Sequence, residues 1–204
     1  MKFVDLAAQQ ARIRIDIEKR LQAVLDHGRY VDGPEIAELE EALAAHIGAR
    51  HAVACSSGTD ALLMALMTLD IGRGDAVFTT PFSFFATGEV IRLLGATPVF
   101  VDIDPATFNL DPKALDDTLE AIAGGDYSLP GLKQFRKGAK LTPKAVIPVD
   151  LFGLPAEYDP IAAIADKYGL PIIEDAAQSF GARYKGRGAG TMGDIGCTSF
   201  FPAK

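Results

Sequence analysis

Four short stretches of the chain combine residue types that can hold an anion, protonate a base or attack a carbonyl. The first is Ser56-Ser57-Gly58-Thr59-Asp60, between an apolar run and a helical pattern. A helix start leaves several N–H groups unpaired, and its dipole favours an anion. Gly58 would let a phosphate approach the backbone and Thr59 would add a hydroxyl. A capping turn alone explains the same residues, because Ser, Thr and Asp are preferred caps. The second is Glu174-Asp175-Ala176-Ala177-Gln178-Ser179, after the apolar Ile172-Ile173. Two acids at a strand's C-terminal end lie where open α/β sheets place their ligands. Asp175 could hold a cation, a metal or a protonated ring nitrogen, or both acids could cap the next turn. The third is Thr198-Ser199-Phe200-Phe201-Pro202-Ala203-Lys204. A lysine closing an apolar run is partly desolvated, which frees the neutral amine that attacks carbonyls. Taken alone, the pattern fits a lysine snorkelling to the surface better. The fourth is Pro81-Phe82-Ser83-Phe84-Phe85-Ala86-Thr87, where one ring could stack on a planar ligand and the others pack in a core.

Other patterns fail on context. Gly188-Ala189-Gly190-Thr191-Met192-Gly193 matches G-x-G-x-x-G, yet polar Arg183-Tyr184-Lys185 precedes it and an apolar run follows. A dinucleotide fingerprint needs a strand before and a helix after, so a flexible Gly-rich loop is expected. His27, His46 and His51 stand apart from any cysteine or acid cluster, so no zinc pattern forms, and no G-x-S-x-G elbow occurs.

The elements that must position these stretches alternate between helical and strand-like patterns. Ile36, Leu39, Leu43 and Ile47 recur at helical spacing, with Pro34 at the start and Gly48 past the end. Helices are also expected over Ala61–Met67, Phe84–Leu94, Pro112–Ile122 (capped by Asp111) and Pro160–Tyr168. Strands are expected at His51–Cys55, Ala76–Thr79, Thr97–Val101, Ala145–Val149, Pro171–Ile173 and Cys197–Phe201. The strands are short and continuously apolar, as in a parallel sheet covered on both faces. Gly124 to Leu141, carrying Lys133, Arg136, Lys137 and Lys140, breaks the rhythm. It reads as a solvated surface loop, with a phosphate-contacting loop as the alternative.

Composition narrows the classes. The 204 residues are 49% hydrophobic and 23% charged, and 20 basic against 27 acidic side chains leave a net charge of −7. Such a chain has no global attraction for nucleic acid or anionic membrane, so any anionic ligand needs a local site. Cys55 and Cys197 are the two cysteines, which suggests a reducing, cytoplasmic setting rather than a disulfide scaffold. The longest apolar runs fall short of a membrane span. Met1 to Gln10 has no apolar h-region, so no secretory signal is expected. The composition and patterning exclude collagen, coiled coil and disordered tail.

Taken together, five stretches resemble the DegT/DnrJ/EryC1/StrS family of pyridoxal-phosphate-dependent sugar aminotransferases. They are Gly33-Pro34-Glu35, His51 through Leu62, Gly95 through Asp102, Glu174 through Ser179, and Ser199 through Lys204, in the family's order and across nearly the whole chain. Gly124 to Leu141 departs from the family pattern by its length. The resemblance implies an α/β fold, the large domain of a fold-type-I transferase, with a mostly parallel seven-stranded sheet between helices. It implies that Lys204 is the Schiff-base lysine and also shuttles the proton between donor Cα and cofactor C4′. Asp175 would face the pyridine nitrogen, Gln178 would lie near the ring O3′, and Phe84 would stack on the ring. Gly58, Thr59 and Ser199 would cradle the phosphate of pyridoxal 5′-phosphate. Lys204 speaks against the dehydratase relatives, which carry a histidine there.

Gly181 to Gly186 and Ile195 to Pro202 look most like members that aminate UDP-linked 3-oxo-N-acetylhexosaminuronic acids in surface polysaccharide (lipopolysaccharide and O-antigen) biosynthesis. The implied partners are that nucleotide sugar, L-glutamate as donor, and a second subunit in a homodimer with a shared active site. No metal, nucleic acid or membrane partner is implied. A 4-keto-6-deoxy sugar nucleotide aminotransferase, a catalytically silent regulatory homologue and a nucleotide-binding oxidoreductase are the rival readings. The sequence stops after an apolar run, so residues 1–204 are expected to be the N-terminal part of the chain, ending within the cofactor-binding domain and without the family's smaller C-terminal domain.

Overall fold

The computed structural model describes residues 4–135 and 141–202. The chain divides into two compact units, Met1–Ala54 with Phe200–Lys204, and Cys55–Ser199.

The first unit is built on α1 (Leu6–His27) and α2 (Pro34–Ile47). Asp5 caps α1 by accepting from the Ala8 amide at 3.1 Å, and Gly28 ends it at φ 66°. Gly33 precedes α2, where a Cβ would stand 2.6 Å from the Arg29 carbonyl oxygen. The Glu40 carboxylate accepts the Ala54 amide at 2.7 Å. His51–Cys55, expected as a strand, has no strand pairing among the described residues, and Val53 is 81% exposed. An apolar triplet with nothing to cover it gains nothing from extension into a ladder.

The second unit holds the sheet. After α3 (Gly58–Thr68) come β1 (Asp75–Thr79), α4 (Phe85–Leu93), β2 (Thr97–Phe100), α5 (Pro112–Gly124), β3 (Thr142–Ile147), α6 (Tyr158–Tyr168) and β4 (Ile173–Asp175). The hairpin β5 (Arg183–Tyr184) and β6 (Arg187–Gly188) follows, then β7 (Ile195–Cys197). Strands β2-β1-β3 form a parallel trio and β4-β7 a parallel pair. Single parallel bridges from Val146 to Ile172 and from Val149 to Asp175 join the two sets. Among the described residues, five parallel strands in the order β2-β1-β3-β4-β7 thus form the sheet, and β5-β6 form an antiparallel hairpin. Successive parallel strands need helical crossovers, and the alternation of helices and strands supplies them.

Two apolar clusters form the core. One gathers Phe78, Val99, Leu115, Leu119, Ile161 and Met192, and the other Leu62, Leu66, Val77, Ile91, Ile147 and Ile173. Alternate residues of β1 go to different clusters, since neighbours on a strand point to opposite faces. That is why its sequence is apolar throughout.

Three sequence expectations change here. The last strand is Ile195–Cys197 rather than Cys197–Phe201, because its ladder with β4 ends where Asp175 meets Cys197. Of the segment 124–141, residues 124–135 and 141 are described, and they are not merely solvated. Tyr127, Leu129, Phe135 and Leu141 pack on the first cluster and Leu132 is fully buried. Gly131 approaches the sheet closely enough that a Cβ would stand 2.5 Å from the Phe100 carbonyl oxygen. Lys133 is exposed, while Arg136, Lys137 and Lys140 lie outside the described residues. The Gly-rich loop 188–193 is anchored rather than loose, for a reason that belongs to the site.

Candidate active site

The C-terminal ends of β4 and β7 bring most of the candidate residues into one region of the second unit. Asp175 closes β4 and is 4% exposed. Its partner on β7 is Cys197, and Ser199 follows two residues later. The ladder continues as a turn, with the Ala176 amide donating to the Cys197 carbonyl at 2.8 Å and the Thr198 hydroxyl donating to the Ala176 carbonyl at 3.2 Å. Burial, followed by the charge of Asp175, pushes the Cys197 thiol up to about 12, so it stays protonated and inert.

Helix α3 meets this turn end-on. A Cβ on Gly58 would lie 2.9 Å from the Ser199 Cβ, 3.3 Å from the Thr198 carbonyl and 3.5 Å from the Ser199 hydroxyl. Only glycine lets the helix start approach so closely. The Ser57 side chain caps the helix by accepting the Asp60 amide at 3.1 Å, and the Ser57 carbonyl accepts the Ala61 amide at 2.9 Å. The amides of Gly58 and Thr59 are then left with no protein acceptor among the described residues. The Ser56 hydroxyl, and then that of Ser57, hold the Asp60 carboxyl below its usual range. That charge is therefore met by local hydroxyl donors. Two free amides, a helix dipole and the Ser199 hydroxyl together suit a phosphate.

Phe84 is the last residue before α4 and is 68% exposed, free to face a ligand rather than the core. Three positions on, Thr87 is buried, and its hydroxyl donates to Asp175 Oδ2 at 2.8 Å. Gln178 is exposed, and its Oε1 accepts the Phe152 amide at 2.9 Å, leaving the amide NH2 as the available donor. Phe152 has φ 56°, a left-handed conformation costly for a residue with a Cβ. Phe152, Phe82 and Phe108 form a ring cluster, with centroids 5.7 and 6.3 Å from Phe82. Lys204 and Ala203 lie outside the described residues. Gly58 and Ser199 are thus brought together, and Asp175 is tied to the helix that Phe84 opens. Thr59 is exposed at the same helix start, without a contact to the other candidates.

Sequence reasoning missed a buried acid pair behind the site. Asp150 is fully buried and accepts from the Ala156 amide at 3.0 Å and the hydroxyls of Tyr158 at 2.8 Å and Ser179 at 2.7 Å. Glu174, also fully buried, accepts from the amides of Gly190 at 2.5 Å and Met192 at 2.8 Å. Desolvation raises both, and the charge of Asp150 adds to the upward push on Glu174, which reaches about 7. The G-x-G-x-x-G loop therefore turns its N–H groups inward onto a carboxyl. It follows a hairpin strand and leads to β7 rather than to a helix, which excludes a dinucleotide role. The short spacing Gly188-x-Gly190-x-Met192 beside an acid in an apolar strand was the available signal.

A parallel α/β sheet with an acid and a helix start converging beyond its strand ends defines the large-domain architecture of fold-type-I transferases. The model of the DegT/DnrJ/EryC1/StrS aminotransferase family matches residues 11–204, and the chain belongs to that family. It is 48% identical over its whole length to a UDP-2-acetamido-2-deoxy-3-oxo-D-glucuronate aminotransferase of Pseudomonas aeruginosa, covering 51% of that protein. It is 43% identical, over 99% of its length and 49% of the relative, to a UDP-N-acetyl-3-dehydro-alpha-D-glucosamine 3-aminotransferase of Acidithiobacillus ferrooxidans. A crystal structure of a family aminotransferase from Brucella abortus superimposes with a TM-score of 0.88 at 49% identity, covering all of this chain and 51% of that one. The chain spans about half the length of the curated relatives it matches. Aminotransferases of the family depend on pyridoxal phosphate.

Proposed function

We propose that the chain is the cofactor-binding portion of a sugar-nucleotide aminotransferase that moves an amino group from L-glutamate to a UDP-linked 3-oxo-N-acetylhexosaminuronic acid, in surface polysaccharide biosynthesis. The observation that carries this reading is the convergence of Asp175 with a helix start closed against Ser199. An acid and a phosphate cradle at neighbouring strand ends suit a phosphorylated, protonated pyridine. The 48% identity to the Pseudomonas relative supports the 3-oxo-uronate substrate.

The residues present fit pyridoxal 5′-phosphate. Gly58, Thr59 and Ser199 would bind its phosphate, Phe84 would cover its ring, and Asp175 would pair with its ring nitrogen. Gln178, with its NH2 group outward, would donate to the ring oxygen. The bound group supplies an electron sink that lets the donor Cα–H ionise. Lys204 would hold the cofactor and move the proton between donor Cα and cofactor C4′. Asp175 would keep the ring nitrogen protonated by opposing its charge. A cytoplasmic enzyme accords with the two unpaired thiols, and the family resemblance supports a homodimer.

The test is a glutamate-dependent assay of the protein at its natural length against 3-oxo and 4-oxo UDP- and dTDP-sugars, with an absorbance scan beforehand. Visible absorption and amination of the 3-oxo uronate are expected. Turnover of the 4-oxo sugars alone would move the substrate to the 4-keto-6-deoxy class. A colourless protein that takes up no cofactor would leave a regulatory homologue.

A further inference from the structure

The hydrogen-bond polarity around Asp175 is fixed by counting protons. Thr87 Oγ1 carries one hydrogen, and it is donated to Asp175 Oδ2 at 2.8 Å. The Ser83 hydroxyl, 2.9 Å from Thr87 Oγ1, must then be the donor of that contact. The result is a one-way chain, Ser83 to Thr87 to Asp175, in which each bond polarises the next. Asp175 Oδ1 accepts the Ala177 amide at a longer 3.3 Å. Thr87, itself buried, is thus a short donor to this carboxylate.

Thr87 also belongs to the turn that Phe84 opens, since its amide donates to the Phe84 carbonyl at 3.2 Å. One side chain therefore links the aromatic residue's turn to the acid's strand, across 88 positions of sequence.

We infer that Thr87, supported by Ser83, is a positioning residue that fixes Asp175 relative to Phe84 and so sets the slot into which the cofactor ring fits. This rests on the reading of Asp175 as the acid that faces that ring. A hydroxyl donor orients the carboxylate and favours its ionised form, and the shared turn keeps ring and acid in register.

The test compares Thr87→Val, which keeps the shape and loses the hydroxyl, with Thr87→Ser, which keeps the hydroxyl, in the natural-length protein. The readouts are the equilibrium affinity for pyridoxal phosphate, followed by visible absorbance, and kcat against KM for glutamate. Thr87→Val is expected to bind cofactor about tenfold more weakly and to lose kcat rather than KM, the scale of one bond to a charged group. Thr87→Ser should recover most of that loss. Ser83→Ala should weaken binding by a few-fold in the parent and have no effect on top of Thr87→Val, because the chain is already broken. Ser83 is only half-buried, so its variant also reports on the chain should Thr87→Val fold poorly. Equal behaviour of the Val and Ser variants, or an undiminished Ser83→Ala effect beside Thr87→Val, would overturn the inference alone. Failure of the unmodified protein to take up cofactor would overturn the reading of Asp175 and this inference with it.

Discussion

Replacing Glu174 by Gln should remove a specific pH dependence from the protein's stability. In the folded chain Glu174 is fully buried and its two oxygens accept from two backbone amides. Desolvation, followed by the nearby Asp150 charge, disfavours its ionised form, so this acid pair holds a proton to a higher pH than an exposed carboxyl would. Asp150 has three donors and Glu174 two, which places that proton on Glu174. Desolvation then lifts Glu174 from 4.5 to about 7. The unfolded chain releases this proton near 4.5 and the folded chain near 7. Between those values the folded state binds more protons, so stability falls as pH rises and levels off above about 7. At about 1.36 kcal/mol per pH unit the span corresponds to at most about 3.4 kcal/mol. Gln cannot ionise, and its NH2 group replaces one of the two acceptor oxygens. One backbone amide of the loop 190–192 then loses its acceptor, at about 1–3 kcal/mol. Glu174→Gln should therefore be less stable than the parent at pH 5 and close to it, or above it, at pH 8. Urea unfolding at both pH values measures the difference of differences, in which every other titrating group cancels. A constant gap between parent and variant from pH 5 to 8 would refute the raised titration of Glu174.

Gly58→Ala should lower pyridoxal phosphate affinity and cost about 1–3 kcal/mol of stability, because its Cβ would stand 2.9 Å from that of Ser199. Unaltered affinity in a cofactor titration would remove α3 from the phosphate site. Lys204→Ala should abolish turnover, and borohydride should fix the cofactor on Lys204 in the parent; label on Lys185 or Lys167 would refute the assignment. Asp175→Asn should keep bound cofactor yet lose activity about 10- to 100-fold, the scale of about 1.5–3 kcal/mol for a charge-assisted bond, and a near-normal rate would take Asp175 out of the site.

The sequence made the parallel sheet legible because its strands are apolar on both faces. Ala76 to Thr79 could not have been read as half-exposed, and the structure divides it between two core clusters. Helices with a terminal glycine were also legible. Gly48, Gly125 and Gly169 each take a positive φ at a helix end. His51 to Cys55 was misread because its composition suits a strand while its burial does not, and burial is a tertiary fact. Helix α1 went unread although Ile13, Ile17, Leu21 and Leu25 repeat every four residues, a signal diluted by the charged residues between them. At the site, Gly58, Asp175 and Ser199 were nameable from local chemistry. Thr87 and Asp150 were not, because each matters through a partner far away in sequence, Asp175 in one case and Ser179 with Glu174 in the other.

The two Gly-bearing turns show why a glycine spacing does not by itself identify an anion site. At Ser57-Gly58-Thr59 the cap satisfies the later amides and leaves the first two of α3 facing outward, with glycine chosen for a close approach to Ser199. At Gly190 to Met192 the amides also converge on an acceptor, but that acceptor is the chain's own Glu174 carboxyl. An internal carboxyl occupies the concavity, so no phosphate can. The same arrangement bears on the chemistry next door. Were Glu174 and Asp150 both ionised, three buried negative charges would crowd the end of β4, and the local field would hold any cation there without discrimination. Below about 7 the protonated Glu174 leaves the pair with a single charge, met by amides and hydroxyls. Asp175, at the same strand end, accepts from the Thr87 hydroxyl at 2.8 Å.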